Sequence, residues 1–397
     1  MSKQPAHFFP SSLTDRQQLV SFLLLAGGVS LVLVSIAASQ ILLSLAILAA
    51  ILQWKKRDRG AALPPPILWP LLLLLLWTIT ATLIGGGSLR DALIKKLWLF
   101  CVLIIVPLFA RGEGKVRWIY HAAFAVAGVS AVDGLVQFII NPHRDPMNRI
   151  KGFMSIWMTY SGLLMLALVA LVAYSLIYGW KNHIWVIPLG LVLAAAIYLS
   201  ETRSAELGAC IGVALVLLLK RPRAILGLAV LLLALYLVSP ASIQQRLRNS
   251  LNPADNNTRN RIEIFGAAFR LIQTHPWIGV GQRVSTEAPH YRGTSEFPDW
   301  MYIHMHNNFL QIAAERGIPG LVLWLWFMVQ LGWQAFLVFR SSRGGGEAGF
   351  AAAAAIGAWV ALLAAGMFEY NFGDSEVLTL FLFMMSAPHA TQVMSTE

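Results

Sequence analysis

Apolar residues come in long runs between Leu19 and Ala387, separated by short polar stretches. A membrane-spanning helix needs about 20 such residues, and runs of this length must cross a bilayer. Leu19 to Trp54 is too long for one span and suits two, with Ser39-Gln40 as the break. A third span runs from Ile67 to Ile84, a fourth ends near Ala110, and a fifth covers Trp118 to Ile140. Phe153–Tyr178 and Ile184–Leu199 are the sixth and seventh, an eighth ends at Leu219, and Ala224–Val238 is the ninth. After a long hydrophilic stretch come Ile318–Phe339, Phe350–Phe368 and a short last run, Val377–Ala387. The pattern predicts an all-α polytopic membrane protein of about twelve helices. It divides as 1–238 with nine spans, 239–305 as one long external loop, and 306–397 with a histidine-bearing segment and three spans.

The loops give an orientation. Lys55–Arg59, Arg111–Arg117, Lys181–His183, Lys220–Arg223 and Arg340–Arg343 alternate along the chain, and all are basic. The positive-inside rule puts them and both termini in the cytoplasm, with the long loop on the opposite side. This assigns much of the formal net charge of +11 to topology. The chain is 57% hydrophobic and 12% charged, and no soluble basic domain is left to bind nucleic acid. Cys101 and Cys210 fall inside apolar runs and read as small buried hydrophobes. The polar start, Met1 to Gln18, lacks a cleavage pattern, so the first helix is expected to stay as an anchor.

Some cations lie in the outward loops, where topology does not ask for them: Arg90, Lys95 and Lys96, Arg149 and Lys151, Arg203, Arg259 and Arg261. Lipid head groups or solvent would account for single examples. Arg203 sits between two apolar runs, near membrane depth, where an ionisable residue is a functional candidate. Within the long loop, Ile262, Phe265, Phe269 and Ile272 recur at helical spacing, predicting an amphipathic helix from Arg259 to Thr274 with Arg261 and Phe265 on one face. His275-Pro276 ends it, and Trp277-Ile278-Gly279-Val280-Gly281 forms a tight turn. The segment His304-Met305-His306-Asn307 then leads toward the tenth span, which sets His306 near its mouth.

His306-Asn307 followed by Gly317 and Gly320 resembles the signature of the bacterial O-antigen ligase and O-antigen polymerase superfamily. Arg261-Ile262-Glu263-Ile264-Phe265, Pro276 to Gly281, and Thr202-Arg203-Ser204 resemble it too, and Arg149 to Phe153 resembles a weaker element. The resemblance implies a GT-C glycosyltransferase of the bacterial inner membrane with its active site facing the periplasm. It implies an inverting, metal-independent transfer of O-antigen polysaccharide from undecaprenyl diphosphate to lipid A–core oligosaccharide. It carries catalytic roles to His306, Arg203 and Arg261. Polymerases that join O-units and relatives that glycosylate proteins share the pattern.

The residue chemistry agrees. A diphosphate leaves as an anion, and arginine offers a planar, permanently charged fork for it. Arg203 and Arg261 are the expected holders, with Arg259, Lys96 and Arg149 as further contacts. A sugar hydroxyl is a weak nucleophile, and histidine is suited to take its proton near neutral pH. His306 is the expected base, and Asn307 positions it or the sugar. His304 reads as a structural neighbour, because a His-x-His pair without a third ligand is a weak metal signal. Glu315 reads as a helix-end charge. No cofactor or metal is expected, and no nucleotide-binding glycine fingerprint is present. A transporter with an anionic pathway is the alternative of another class; it would show two pseudo-repeated halves, and no repeat is visible.

Overall fold

A computed structural model describes residues 16–53, 63–88, 97–141, 149–238, 244–245, 256–293 and 297–392. All regular structure among the described residues is helical, without strands, and the chain is an all-α membrane protein. The helices are α1 (Arg16–Leu31), α2 (Ile36–Leu52), α3 (Pro65–Ile84), α4 (Val102–Phe109, entered by a 3-10 turn Leu97–Cys101) and α5 (Lys115–Ile140). Then come α6 (Trp157–Tyr178), α7 (Val186–Leu199), α8 (Arg203–Lys220), α9 (Ala224–Val238) and α10 (Asn256–Thr274). A one-turn α11 (Val284–Glu287), α12 (Asn308–Ser341), α13 (Gly346–Ala365) and α14 (Ser375–Ala390) complete the set. Each expected span has a helix in its place. Among the described residues, α3, α5, α6, α12 and α13 are long and apolar enough to cross a membrane by themselves.

One boundary moves. The first hydrophobic run breaks at Ser35, not at Ser39-Gln40, because the Ser35 hydroxyl accepts from Ala38 N and caps α2. Ser39 lies inside α2, and its hydroxyl donates to the Gly28 carbonyl of α1 at 2.6 Å. In lipid a hydroxyl that finds a neighbouring carbonyl ties helices together instead of ending one. Ahead of the tenth span a further helical half begins at Asn308; the break at Gly317 separates the two, and the second half starts at Ile318 as expected.

The centre of the bundle is α13, whose run Ala351–Ala355 is wholly buried. Small residues let neighbouring backbones approach closely. A Cβ at Gly212 of α8 would stand 2.9 Å from both Gly357 O and Ala361 Cβ of α13. Gly208, one turn earlier, meets Ala361 and Ala365. This antiparallel register carries Arg203, at the start of α8, to the level of the turn that follows α13.

α12 is broken at Gly317, whose φ of 68° and ψ of 179° are open essentially to glycine alone. The break frees backbone groups that a membrane protein must satisfy internally. The Pro276–Gly281 turn does this: Ile318 N donates to Pro276 O at 2.7 Å, and Val280 N donates to Ala314 O at 2.9 Å. Trp77 of α3 supplies the third partner, its Nε1 donating to Arg316 O at 2.8 Å. Pro319 in the second half lacks the N–H that a continuous helix would require. α10 packs against this region through Ile264, Ala267, Ala268 and Leu271. That face is not the expected one, since Ile262 and Phe269 are exposed. The apolar spacing found a helix but not its packed side, because alanines fill that side.

The loops sort to two ends. At one, Glu347 accepts from Gly114 N and Arg117 N, Arg117 lies over Tyr178, and Lys220 donates to Gly344 O. This end gathers the alternating basic loops that are described; Lys55–Arg59 lies outside the described residues. The turns after α3, before α8, before α12 and after α13 meet at the other end.

Candidate active site

His306 stands just before α12, in the left-handed region with φ of 45°. A non-glycine residue there costs about 1–3 kcal/mol unless its surroundings hold it. Asn307 does the holding. Its side-chain oxygen accepts from Phe309 N at 2.8 Å and Leu310 N at 3.0 Å, capping α12. Its amide donates to Met367 O at 2.9 Å, fastening the cap to the turn after α13. Asn307 is buried, and these bonds assign it to positioning His306. Asn308 extends the clasp, donating from its backbone to Gly366 O and from its side chain to Asn371 Oδ1 at 2.6 Å.

The same turn delivers Glu369, which sequence reasoning missed. Its Oε2 lies 3.6 Å from His306 Nδ1 and its Oε1 lies 3.8 Å from His304 Nε2. Burial pushes the Glu369 carboxyl up, but the His306 hydrogen bond, both histidines and the Tyr370 N–H outweigh it, so it titrates below its usual value. A carboxylate on Nδ1 leaves Nε2 of His306 as the proton acceptor, the arrangement a general base needs. The only sequence signal was an acid in the polar turn between the last two spans, and nothing in spacing tied it to His306.

His304 is more than a neighbour. Its ring centroid is 4.1 Å from that of His306, and His306 N donates to His304 Nδ1 at 3.2 Å. With Nδ1 accepting, the His304 proton belongs on Nε2, toward Glu369. The third ligand missing from the sequence pattern is therefore present: donor atoms of His304, His306 and Glu369 lie within 4.8 Å of one another. Their spacing would suit a divalent cation, but the bond to Nδ1 works against one. A metal-bound histidine donates its second ring N–H, and His304 Nδ1 instead faces a donor. The trio fits a proton relay better than a metal centre.

One of the expected arginines reaches the same turn. Arg261 lies over the Phe368 ring, 5.8 Å from its centroid. Burial lowers the Arg261 guanidinium from its usual value, and the Glu369 carboxylate opposes that. Arg259, two residues away on α10, is exposed, which settles on Arg261 as the inward guanidinium of the pair. Arg203 reaches the same level through the α8–α13 register. Arg149 stands next to it, its Nη1 donating to Glu201 O at 2.9 Å and its guanidinium over Trp157. Lys96 falls outside the described residues.

Glu315 lies at the end of the first half of α12, two residues before the Gly317 break, as a helix-end charge. It is buried there. It accepts from Gln311 Nε2 at 2.8 Å and Tyr370 OH at 3.2 Å, and pairs with Arg316 at 2.7 Å. Arg316 in turn donates to Thr78 Oγ1 at 3.0 Å.

Residues 188–325 match the family described as O-Antigen ligase. The matched segment contains Arg203, Arg261 and His306 but neither Arg149 nor Glu369. No curated protein matches the chain.

Proposed function

We propose that the protein is an O-antigen ligase, a reading supported by the match of residues 188–325 to the family described as O-Antigen ligase. In this reading it transfers O-antigen polysaccharide from undecaprenyl diphosphate to lipid A–core oligosaccharide at the periplasmic face of the inner membrane. The observation that carries it is the meeting of the His306–Glu369 pair with Arg261 at one end of a membrane helix bundle. The orientation rests on the basic loops at the opposite end.

The acceptor hydroxyl attacks the anomeric carbon of the lipid-linked sugar. His306 Nε2 takes the hydroxyl proton as the new carbon–oxygen bond forms. The bond from that carbon to the diphosphate oxygen breaks, and undecaprenyl diphosphate leaves with the electron pair. Arg203 and Arg261, with Arg149 behind them, hold the charge that develops on the leaving group. Attack opposite the departing diphosphate inverts the anomeric centre. Glu369 keeps Nδ1 protonated and balances the imidazolium, as a buried carboxylate does beside other histidine bases. No step requires a metal.

The test supplies purified protein with undecaprenyl diphosphate-linked polysaccharide and lipid A–core, and separates the products by size and lipid. The ligase reading expects polymer on lipid A–core, insensitive to a chelator. Growth of the undecaprenyl-linked glycan with no product on the core would make the protein a polymerase instead.

A further inference from the structure

A cavity of about 370 Å³ opens beside the histidines, with His304 and Glu369 in its wall. Neither Arg203 nor Arg261 lines it. We propose that this cavity is the acceptor subsite, and that it takes a neutral hexopyranose ring of the acceptor glycan. The assignment rests on the transferase reading above and adds where the acceptor sits and what it must look like.

Three observations carry it. Charge is divided across the His306–Glu369 pair. One side presents Arg261, over Phe368 and in the field of Glu369. The cavity side presents Glu315, Glu369 and Asp374, with amides and hydroxyls from Gln282, Gln311 and Ser285. Among the described residues its one cation, Arg316, is already neutralised by Glu315 and bonded to Thr78. An anionic group is repelled there, whereas acids, amides and hydroxyls are the partners a polyol needs.

The cavity is also built. Glu315 is fixed by Gln311, Tyr370 and Arg316 before any ligand arrives. Gln311 is itself anchored, since its Oε1 accepts from Met305 N at 2.8 Å. Asp374 accepts from Thr159, from Glu376 N at 3.0 Å and from Val377 N at 3.2 Å. Fixed polar groups on rigid helices are what orient a small ligand. The volume lies at the lower end of the ~300–1,000 Å³ of small-molecule sites, suited to one or two sugar rings.

Lastly, the cavity continues into an apolar crevice. Thr78, Leu97, Arg316 and Tyr370 line both, and Leu74, Phe100, Trp324, Phe372 and Leu378 line only the crevice. That crevice holds only about 40 Å³ among buried side chains, so the ligand itself is confined to the polar chamber. A ring in the chamber presents its hydroxyls to the wall formed by His304 and Glu369, next to the base.

Ser285 tests this without touching the histidine trio, because it is exposed on α11 and lines the cavity. Ser285→Trp fills the chamber, and Gln282→Ala removes one polar group. The probe is methyl β-D-glucopyranoside, followed by saturation-transfer NMR on the full protein in detergent, with inorganic diphosphate as competitor. The expected result is hexoside signal on wild type that diphosphate does not displace and that Ser285→Trp reduces at least fivefold. In the transfer assay the hexoside should compete with the acceptor and not with the donor, and Gln282→Ala should raise the acceptor KM several-fold. Loss of the hexoside signal to diphosphate, competition with the donor, or an undiminished signal in Ser285→Trp would each overturn the assignment. So would the absence of hexoside binding to wild type at millimolar concentration. Wild-type protein that binds the hexoside as described but transfers no glycan would sink the transferase reading and leave the subsite standing.

Discussion

Replacing Glu369 by Gln removes the charge beside His306 while keeping shape and a hydrogen-bonding group. Two unit charges 3.6 Å apart interact by about 4–5 kcal/mol at an effective dielectric near 20. The side chains are 28% and 13% exposed, so solvent and salt reduce this to ~1.5–3 kcal/mol. That is about 10- to 100-fold in a transition state where the imidazolium forms. The loss should fall on kcat, with donor and acceptor KM changed less than about threefold, since Glu369 acts through His306. A merely structural role would instead lower the yield of folded protein or raise both KM values along with the loss of kcat. The assay is initial-rate transfer of lipid-linked glycan to lipid A–core between pH 5 and 9, at matched fold as judged by thermal unfolding. A folded Glu369→Gln enzyme with wild-type kcat would refute the dyad.

Other outcomes follow from the same geometry. His306→Ala should lower turnover about 100- to 10,000-fold with donor binding retained, and His304→Ala should cost less, both read in the transfer assay. Arg261→Ala should weaken donor binding and slow turnover together, whereas Arg259→Ala, on the exposed side of α10, should change either by less than about threefold. A chelator should leave activity unchanged, and restoration of a chelated enzyme by a divalent ion would convert the His304–His306–Glu369 trio into a metal centre. Asp374 is pushed up to about 7, first by burial and then by Glu376; its folded value exceeds the unfolded one of about 3.9. Its contribution to stability is thus full below about pH 4 and lost as pH rises through 7. Asp374→Asn keeps the α14 cap and should unfold at higher temperature than wild type at pH 8, with the gap closing toward pH 4.

Much of this arrangement is legible along the chain, and the rest fails for identifiable reasons. Span lengths are set by bilayer thickness, so apolar runs located every membrane helix near its observed place. Loop alternation works for a similar reason: every basic loop that is described reaches one end. Arg203, a charge between two apolar runs, stands out because lipid makes such placements costly. Glu369 does not stand out. An acid in a polar turn is unremarkable until the Asn307–Met367 and Asn308–Gly366 bonds bring that turn to the histidines. Pairing between segments that far apart leaves no mark in periodicity. The first half of α12 was missed for a related reason. Gly317 and Pro319 signal a helix start, and only the docked Pro276–Gly281 turn lets helix exist on both sides of the break.

That break joins the two halves of the site, and Gly317→Ala tests the connection. The first half of α12 holds Asn307, Gln311 and Glu315, and the break itself aims the Arg316 carbonyl at Trp77. A Cβ at Gly317 would run into the Trp277 carbonyl, and Pro276 O would lie 2.8 Å away. These are backbone atoms, so no side chain can swing aside. Alanine at a glycine-only backbone position costs about 1–3 kcal/mol. Losing the bonds from Ile318 N and Val280 N adds about 0.5–1.5 kcal/mol each. The total of ~2–6 kcal/mol exceeds what most single substitutions cost. It falls on the joint between α10, α12 and the cavity. Gly227→Ala in α9 is the control, since a Cβ there meets nothing within 4 Å; it should be neutral or slightly stabilising. The expected result is a lower unfolding temperature for Gly317→Ala, with loss of both glycan transfer and hexoside binding, at retained helical content. Retention of hexoside binding with transfer abolished would show that the break serves the histidine end alone, and that cavity and break are independent.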